Sequence, residues 1–347
     1  MVLRKALAEV QQRSRDLVKL FVSSRYEEDL AAGLGVGKVL NMTIKDTEED
    51  LGSFVGSQLE KDLKQALIER AQGMFLWVTL QLEYINDTDR IKTLDDIQIA
   101  LRSLPATLTQ SYTAIHNRIE ALGTKAKSVA RMTFQWLLGA RRILSVAELI
   151  AAVGRSPNCS SELSPRDIID YCCQLVIIDQ STNSFRLAHL TVREYLESLN
   201  VYCRPEISLT IAKGCLDVYL GDNGDGLGLR DYAPKYWPVH VEELESTSQR
   251  NHIEIPLVDF FTKGEHFEDW LDDLKRVLSY EKDGTWGSTI ERKLDALFSP
   301  SQSPLFVISC FGFVEVLQTT AVKIQQDLNQ KNQHGSAGLY LALVRAI

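Results

Sequence analysis

The sequence predicts a mainly α-helical protein built from several packed units, and three observations carry that expectation. Apolar residues recur at helical spacing, as in Leu51, Val55, Leu59, Leu63, Leu67 and Ala71. Strand-like runs are few and short: Leu17–Val22, Val39–Ile44, and a pair between 175 and 189. The 347 residues exceed one small core at roughly 100–200 residues per domain.

The elements follow in order. A charged amphipathic helix over Ala6–Asp16 precedes the first run, and a short helix, Tyr26–Ala32, separates it from the second. One helix between two short runs makes a small α/β segment rather than a whole sheet. From Asp46 and Thr47, a plausible cap followed by Glu48 and Glu49, the period becomes helical. The run MFLWVTLQLEYI, a helix over Thr93–Leu104 stopped by Pro105, and helices around Leu108–Leu122 and Ala126–Leu138 continue it. Ser145, with Glu148 three positions on, starts the helix VAELIAAV as a capping box. Ser164-Pro165 opens a helix through Cys172. Leu175–Asp179 and Phe185–His189 then read as a hairpin, and Thr191–Leu199 as a helix. Helices closed by a small hairpin have the layout of a winged helix. Residues Ile207–Leu297 are helical with breaks at Gly221–Gly228 and Asp283–Gly287. In the tail, Leu305 and Leu339 stand 34 positions apart, close to the ~33-residue ankyrin period.

Composition excludes several classes. A net charge of −8 and 24% charged residues argue against a surface that neutralises phosphate backbones or binds acidic membranes. No run approaches the ~20 apolar residues of a bilayer span, and the N-terminus lacks the apolar core of a signal peptide. Six cysteines without a CxxC pair read as buried or free thiols in a reducing cytosol, with Cys172-Cys173 placed on an apolar helix.

Most motifs turn out to be decoys. Gly33–Lys38 looks like a phosphate loop, yet Ala32 holds the first glycine position and Val39 replaces the Mg²⁺-holding hydroxyl. A helix precedes this loop and a strand follows, so no helix dipole faces a phosphate. Asp222–Gly226 suggests a calcium loop, but the register puts Gly221 and Tyr232 where oxygen ligands are needed. The histidines form no zinc-spaced cluster, and His116, His240, His252, His266 and His334 read as satisfied structural residues. No nucleophile elbow is present. The Ser164–Cys172 helix carries one Arg against two Asp, poor for reading a DNA groove.

Four stretches together resemble the middle of fungal NACHT-type, NOD-like signal-transduction NTPases. LVKLFVSSRYEEDL (Leu17–Leu30) is similar to the sensor-1 strand and its helix, and Gln72–Ile119 to the helical segment after the nucleotide core. Phe134–Ser198 resembles these proteins' winged helix, the GPI inositol-deacylase type, and Leu229–Glu243 the helical region that leads to repeats. The tail from Ser303 resembles ankyrin repeats, degenerate because Ser309 and Gly338 replace consensus alanine and proline.

The resemblance implies two nucleotide-contacting residues. Arg25 matches the sensor-1 arginine that reaches the terminal phosphate of ATP, a task suited to a charged planar fork. His189 matches the winged-helix histidine that holds the ADP β-phosphate at rest, a contact made in one conformation only, as a switch requires. Each also has an ordinary reading, as a helix-capping arginine and a core histidine. Were His189 the phosphate contact, it should face a cleft on the side of Arg25, with Leu187 and Leu190 turned into the winged-helix core.

The family's phosphate loop and Mg²⁺-holding acidic strand lie upstream of sensor 1, and sixteen residues precede Leu17 here. The expectation is therefore a non-catalytic regulatory and protein-interaction portion of such an NTPase, not itself an enzyme, with Arg25 and His189 vestigial. The expected domains are an α/β remnant of the nucleotide core (1–45), a helical lid (46–104), a winged helix (105–199), a second helical domain (200–300) and incomplete ankyrin repeats (301–347). No cofactor or metal is expected for this chain, against ATP or ADP in the full-length family. Expected partners are proteins bound through the repeats and helical domains, and self-association, with no nucleic acid or membrane, in the cytoplasm. Two alternatives stand: a fragment of an active ATP- or GTP-hydrolysing switch whose N-terminal half is missing from the gene model, and an ankyrin adaptor.

Overall fold

The structure, a computed structural model, describes residues 75–85, 107–154, 163–221, 228–244, 247–262, 264–280 and 304–313, with single positions 67, 105, 316, 317, 319 and 331. The chain falls into two compact units, Met1–Thr107 and Leu108–Ile347. Arg25, the Gly33–Lys38 turn, the Asp222–Gly226 loop, both early strand runs and the second repeat around Leu339 lie outside the described residues.

In the first unit, helix α1 (Phe75–Ile85) is the expected apolar helix. It buries Trp77, Val78 and Leu80, and Leu67 is buried as well. The Trp77 indole N–H donates to the Pro105 carbonyl at 3.0 Å, which satisfies its one polar group.

The second unit starts with two helices, α2 (Leu108–Glu120) and α3 (Thr124–Gly139). Helix α3 buries Val129, Ala130, Thr133, Phe134 and Trp136 on one stripe. Helix α4 (Val146–Gly154) begins at the expected capping box: the Ser145 N–H donates to Glu148 Oε2 at 2.8 Å and the Glu148 N–H to Ser145 Oγ at 3.2 Å. Helix α5 (Pro165–Tyr171) has a second such box between Ser164 and Asp167, with proline in the first turn.

The hairpin pairs strand β1 (Val176–Asp179) antiparallel with β2 (Ser184–Leu187), Val176 opposite Leu187 and Asp179 opposite Ser184. Ser145 adds a one-residue bridge to Ser184, so a vestigial third strand flanks β2. Helix α6 (Leu190–Glu197) follows. Helix, bridge, two helices, hairpin: this is the expected winged-helix layout.

Two details correct the sequence reading. Cys172 caps the end of α5 and Cys173 has φ 48°, so the pair sits where the chain leaves the helix rather than on it, although both are buried. Leu190 is 63% exposed, not turned into the core. The strand ends at Leu187, strand alternation stops there, and the helical period takes over. Val192, Tyr195 and Leu196 form the buried stripe of α6, which places Leu190 on the opposite side.

Helix α7 (Arg204–Leu220) is buried nearly all round, as the axis of a helical module must be. It packs on α3, and on α8 (Ala233–Glu242), α9 (Thr247–Thr262) and α10 (Gly264–Tyr280). Helices α3 and α7 approach closely: a Cβ on Gly139 would lie 2.2 Å from Ile207 Cγ2, and one on Gly214 would lie 3.2 Å from the Trp136 ring. Helix α8 contains Pro238, which cannot donate to the Pro234 carbonyl one turn back. The Trp270 indole of α10 donates to that carbonyl instead, at 2.9 Å. Trp237, Phe260, Phe261, Phe267 and Trp270 pack edge-on around this point. Helix α11 (Pro304–Phe311) is buried from Leu305 onward, and Phe313 stacks on Trp237 at 5.7 Å. The start of the tail is thus joined to the second helical module.

Candidate functional site

His189 is the one residue expected to contact nucleotide that falls among the described residues. It is exposed, and it caps α6 in extended conformation at φ −155° and ψ 160°. Its Nδ1 accepts from the Thr191 N–H at 3.2 Å and lies 2.8 Å from Thr191 Oγ1. Thr191 Oγ1 in turn lies 2.7 Å from the hydroxyl of Tyr112 on α2, which is 1% exposed. Burial pushes the Tyr112 phenol above its ordinary range, the Thr191 bond working against it, so it stays protonated at neutral pH. Arg193 donates to the Leu137 carbonyl of α3 at 3.0 Å and pairs with Glu197 at 3.2 Å, which fixes the helix against α3.

The phosphate that the resemblance implies can be tested against this geometry. An exposed imidazole at a helix N-terminus, where backbone dipoles favour anions, suits one phosphate oxygen. Among the described residues, no group of three or more His, Cys, Asp or Glu could hold a metal ion.

A second cluster, absent from the sequence reading, ties the winged helix to the helical module. The Arg141 N–H donates to the Tyr232 hydroxyl at 2.9 Å, and that hydroxyl lies 2.9 Å from His240 Nε2. The other ring nitrogen of His240, Nδ1, lies 3.7 Å from Glu243 Oε2. His240 is wholly buried, and burial holds its imidazole below the ordinary range, with Glu243 pulling the other way. Glu243 also pairs with Arg141, accepts from Ser208 Oγ at 2.9 Å and faces Arg204 at 3.5 Å. Burial alone would raise its carboxyl, but His240, Arg141 and Ser208 outweigh it and bring it down to about 2. The neighbouring Arg142 grips Glu148 through two bonds of 2.6 and 2.9 Å and lies over the Tyr232 ring at 5.4 Å. Consecutive arginines thus hold the α4 cap and the end of α8 together.

The remaining histidines are mixed. His116 is half-buried beside Tyr195 and Tyr202, its Nε2 lacks a hydrogen bond, and burial lowers its imidazole against the pull of Glu120. His252 is exposed, so neither it nor His116 is a satisfied core residue.

This order of helices, one-residue bridge and hairpin agrees with a comparison of the sequence. Residues 118–203 match the GPI inositol-deacylase winged helix domain. The match runs from the end of α2 to Cys203 at the start of α7, and so covers α3 to α6 and His189. Comparison with curated proteins and with solved structures finds no match. On this winged helix, Arg166 of α5 faces Asp170 at 3.7 Å, and Asp167 is engaged by the Ser164 cap. Among the described residues, no helix is long and apolar enough to cross a membrane.

Proposed function

We propose that this chain is the regulatory, protein-interaction portion of a NACHT-type, NOD-like signal-transduction NTPase of the fungal kind, and is not itself an enzyme. The observation that carries the reading is His189, exposed at the N-cap of α6 within a winged helix of the GPI inositol-deacylase type. A regulatory domain needs a contact available in one state and lost in another. An outward histidine on a helix braced against α3 supplies the movable half of such a contact. Where the full-length protein holds ATP or ADP, His189 meets a phosphate oxygen. Proteins dock on the helical module and on the tail that begins with α11, which acts as the first of a set of ankyrin repeats, in the cytoplasm. The paired charges of α5 leave little for a nucleic acid to bind.

The test is turnover. The purified chain should hydrolyse neither ATP nor GTP above a no-protein control. Turnover abolished by Lys38→Ala would replace this reading with that of a working hydrolase.

A further inference from the structure

The structure assigns Tyr112 and Thr191 as positioning residues that keep the ring proton of His189 on Nε2, so that it presents an outward hydrogen-bond donor to an anionic oxygen. The argument is one of donors and acceptors. Tyr112 is 1% exposed, and among the described residues its hydroxyl has a single polar partner, Thr191 Oγ1 at 2.7 Å. A buried phenol that leaves its proton unshared pays the desolvation cost of that group without a compensating bond. Tyr112 therefore donates, and Thr191 Oγ1 accepts. The threonine's own proton is then free to go to the other atom within reach, His189 Nδ1 at 2.8 Å. The Thr191 backbone N–H, which can only donate, points at the same nitrogen from 3.2 Å. Two donors meet at Nδ1, so Nδ1 carries the lone pair and Nε2 the hydrogen.

Each part of the relay has its reason in the fold. Thr191 is the second residue of α6, where a side chain lies beside the cap, and α2 packs against α6. The ring contact of Tyr112 with Tyr195, 5.4 Å between centroids, fixes the phenol on that helix. Without Tyr112, the threonine hydroxyl could rotate and accept from a protonated Nδ1. Its direction would no longer be set.

This refines the phosphate reading of His189 and rests on it for its use, but its test needs no nucleotide. Long-range ¹H–¹⁵N spectra of histidine-labelled full chain report which ring nitrogen bears the proton, with His189 assigned by the loss of its signal in His189→Gln. The wild type should show the Nε2–H form alone. Tyr112→Phe and Thr191→Val should shift His189 toward the tautomer mixture of a solvated imidazole, and Thr191→Ser should restore it. Unchanged signals from buried His240 show that the fold is intact. A wild-type proton on Nδ1, or the same tautomer in wild type and Tyr112→Phe, would overturn the assignment. Should Tyr112→Phe fail to fold, the Thr191→Val and Thr191→Ser pair decides. A correct tautomer without any response of His189 to phosphate would leave the relay standing and remove the nucleotide reading.

Discussion

Replacing Glu243 by glutamine should loosen the joint between the winged helix and the helical module. The substitution keeps the shape of the side chain and removes the charge that Arg141, Arg204 and His240 face. The Glu243 carboxyl is brought down to about 2, against an unfolded value of about 4.3, and each unit is worth about 1.4 kcal/mol. About 3 kcal/mol of stability at neutral pH follows as an upper figure, and the range for hydrogen bonds to charged groups brings the expectation to about 2–3 kcal/mol. The sign is fixed by linkage. A carboxylate held below its unfolded value stabilises fully above about pH 4.3, and that stability disappears as pH falls through about 2. Native-state hydrogen exchange of the α7 and α8 amides reads the opening of this unit directly. Glu243→Gln should lower their protection by about 2–3 kcal/mol at pH 7, and the gap should narrow steadily below pH 4. A gap under about 0.5 kcal/mol at pH 7, or one unchanged by acid, would refute the reasoning.

Two further outcomes follow from the packing. Trp270→Phe keeps an aromatic ring but strips the donor from the Pro234 carbonyl, so the midpoint of urea unfolding should fall by the equivalent of about 1–3 kcal/mol. Gly139→Ala places a methyl 2.2 Å from Ile207 Cγ2 and 2.8 Å from Ile211 Cδ1. Overpacking of about 1–3 kcal/mol should exceed the propensity gain of up to about 1 kcal/mol, and Ile207→Ala in the same chain should recover part of the loss.

The local elements were legible because their causes are local. Ser145 with Glu148 and Ser164 with Pro165 mark helix starts within four residues, and the spacing of apolar residues along α2 and α3 shows which stripe is buried. The hairpin was readable from two apolar runs and the polar loop between them. The relay behind His189 was not, since Tyr112 and Thr191 are 79 positions apart and neither belongs to a motif. The same holds for Arg141 with Glu243 and for Trp270 with Pro234, where a proline in one helix calls for a donor from another. Leu190 was misread for a physical reason: the chain changes from a period of two to 3.6 at His189, and the sequence carries no mark of that residue's becoming a cap.

The most direct test of the account is the response of His189 to phosphate. Full-length chain labelled on histidine would be titrated with ADP, with pyrophosphate and with adenosine while the His189 ring signal is followed. ADP and pyrophosphate should each move that signal at millimolar concentration and leave buried His240 in place, whereas adenosine should move neither. A His189 signal indifferent to all three, or shifted equally by adenosine, would contradict its role as the phosphate contact of a regulatory winged helix.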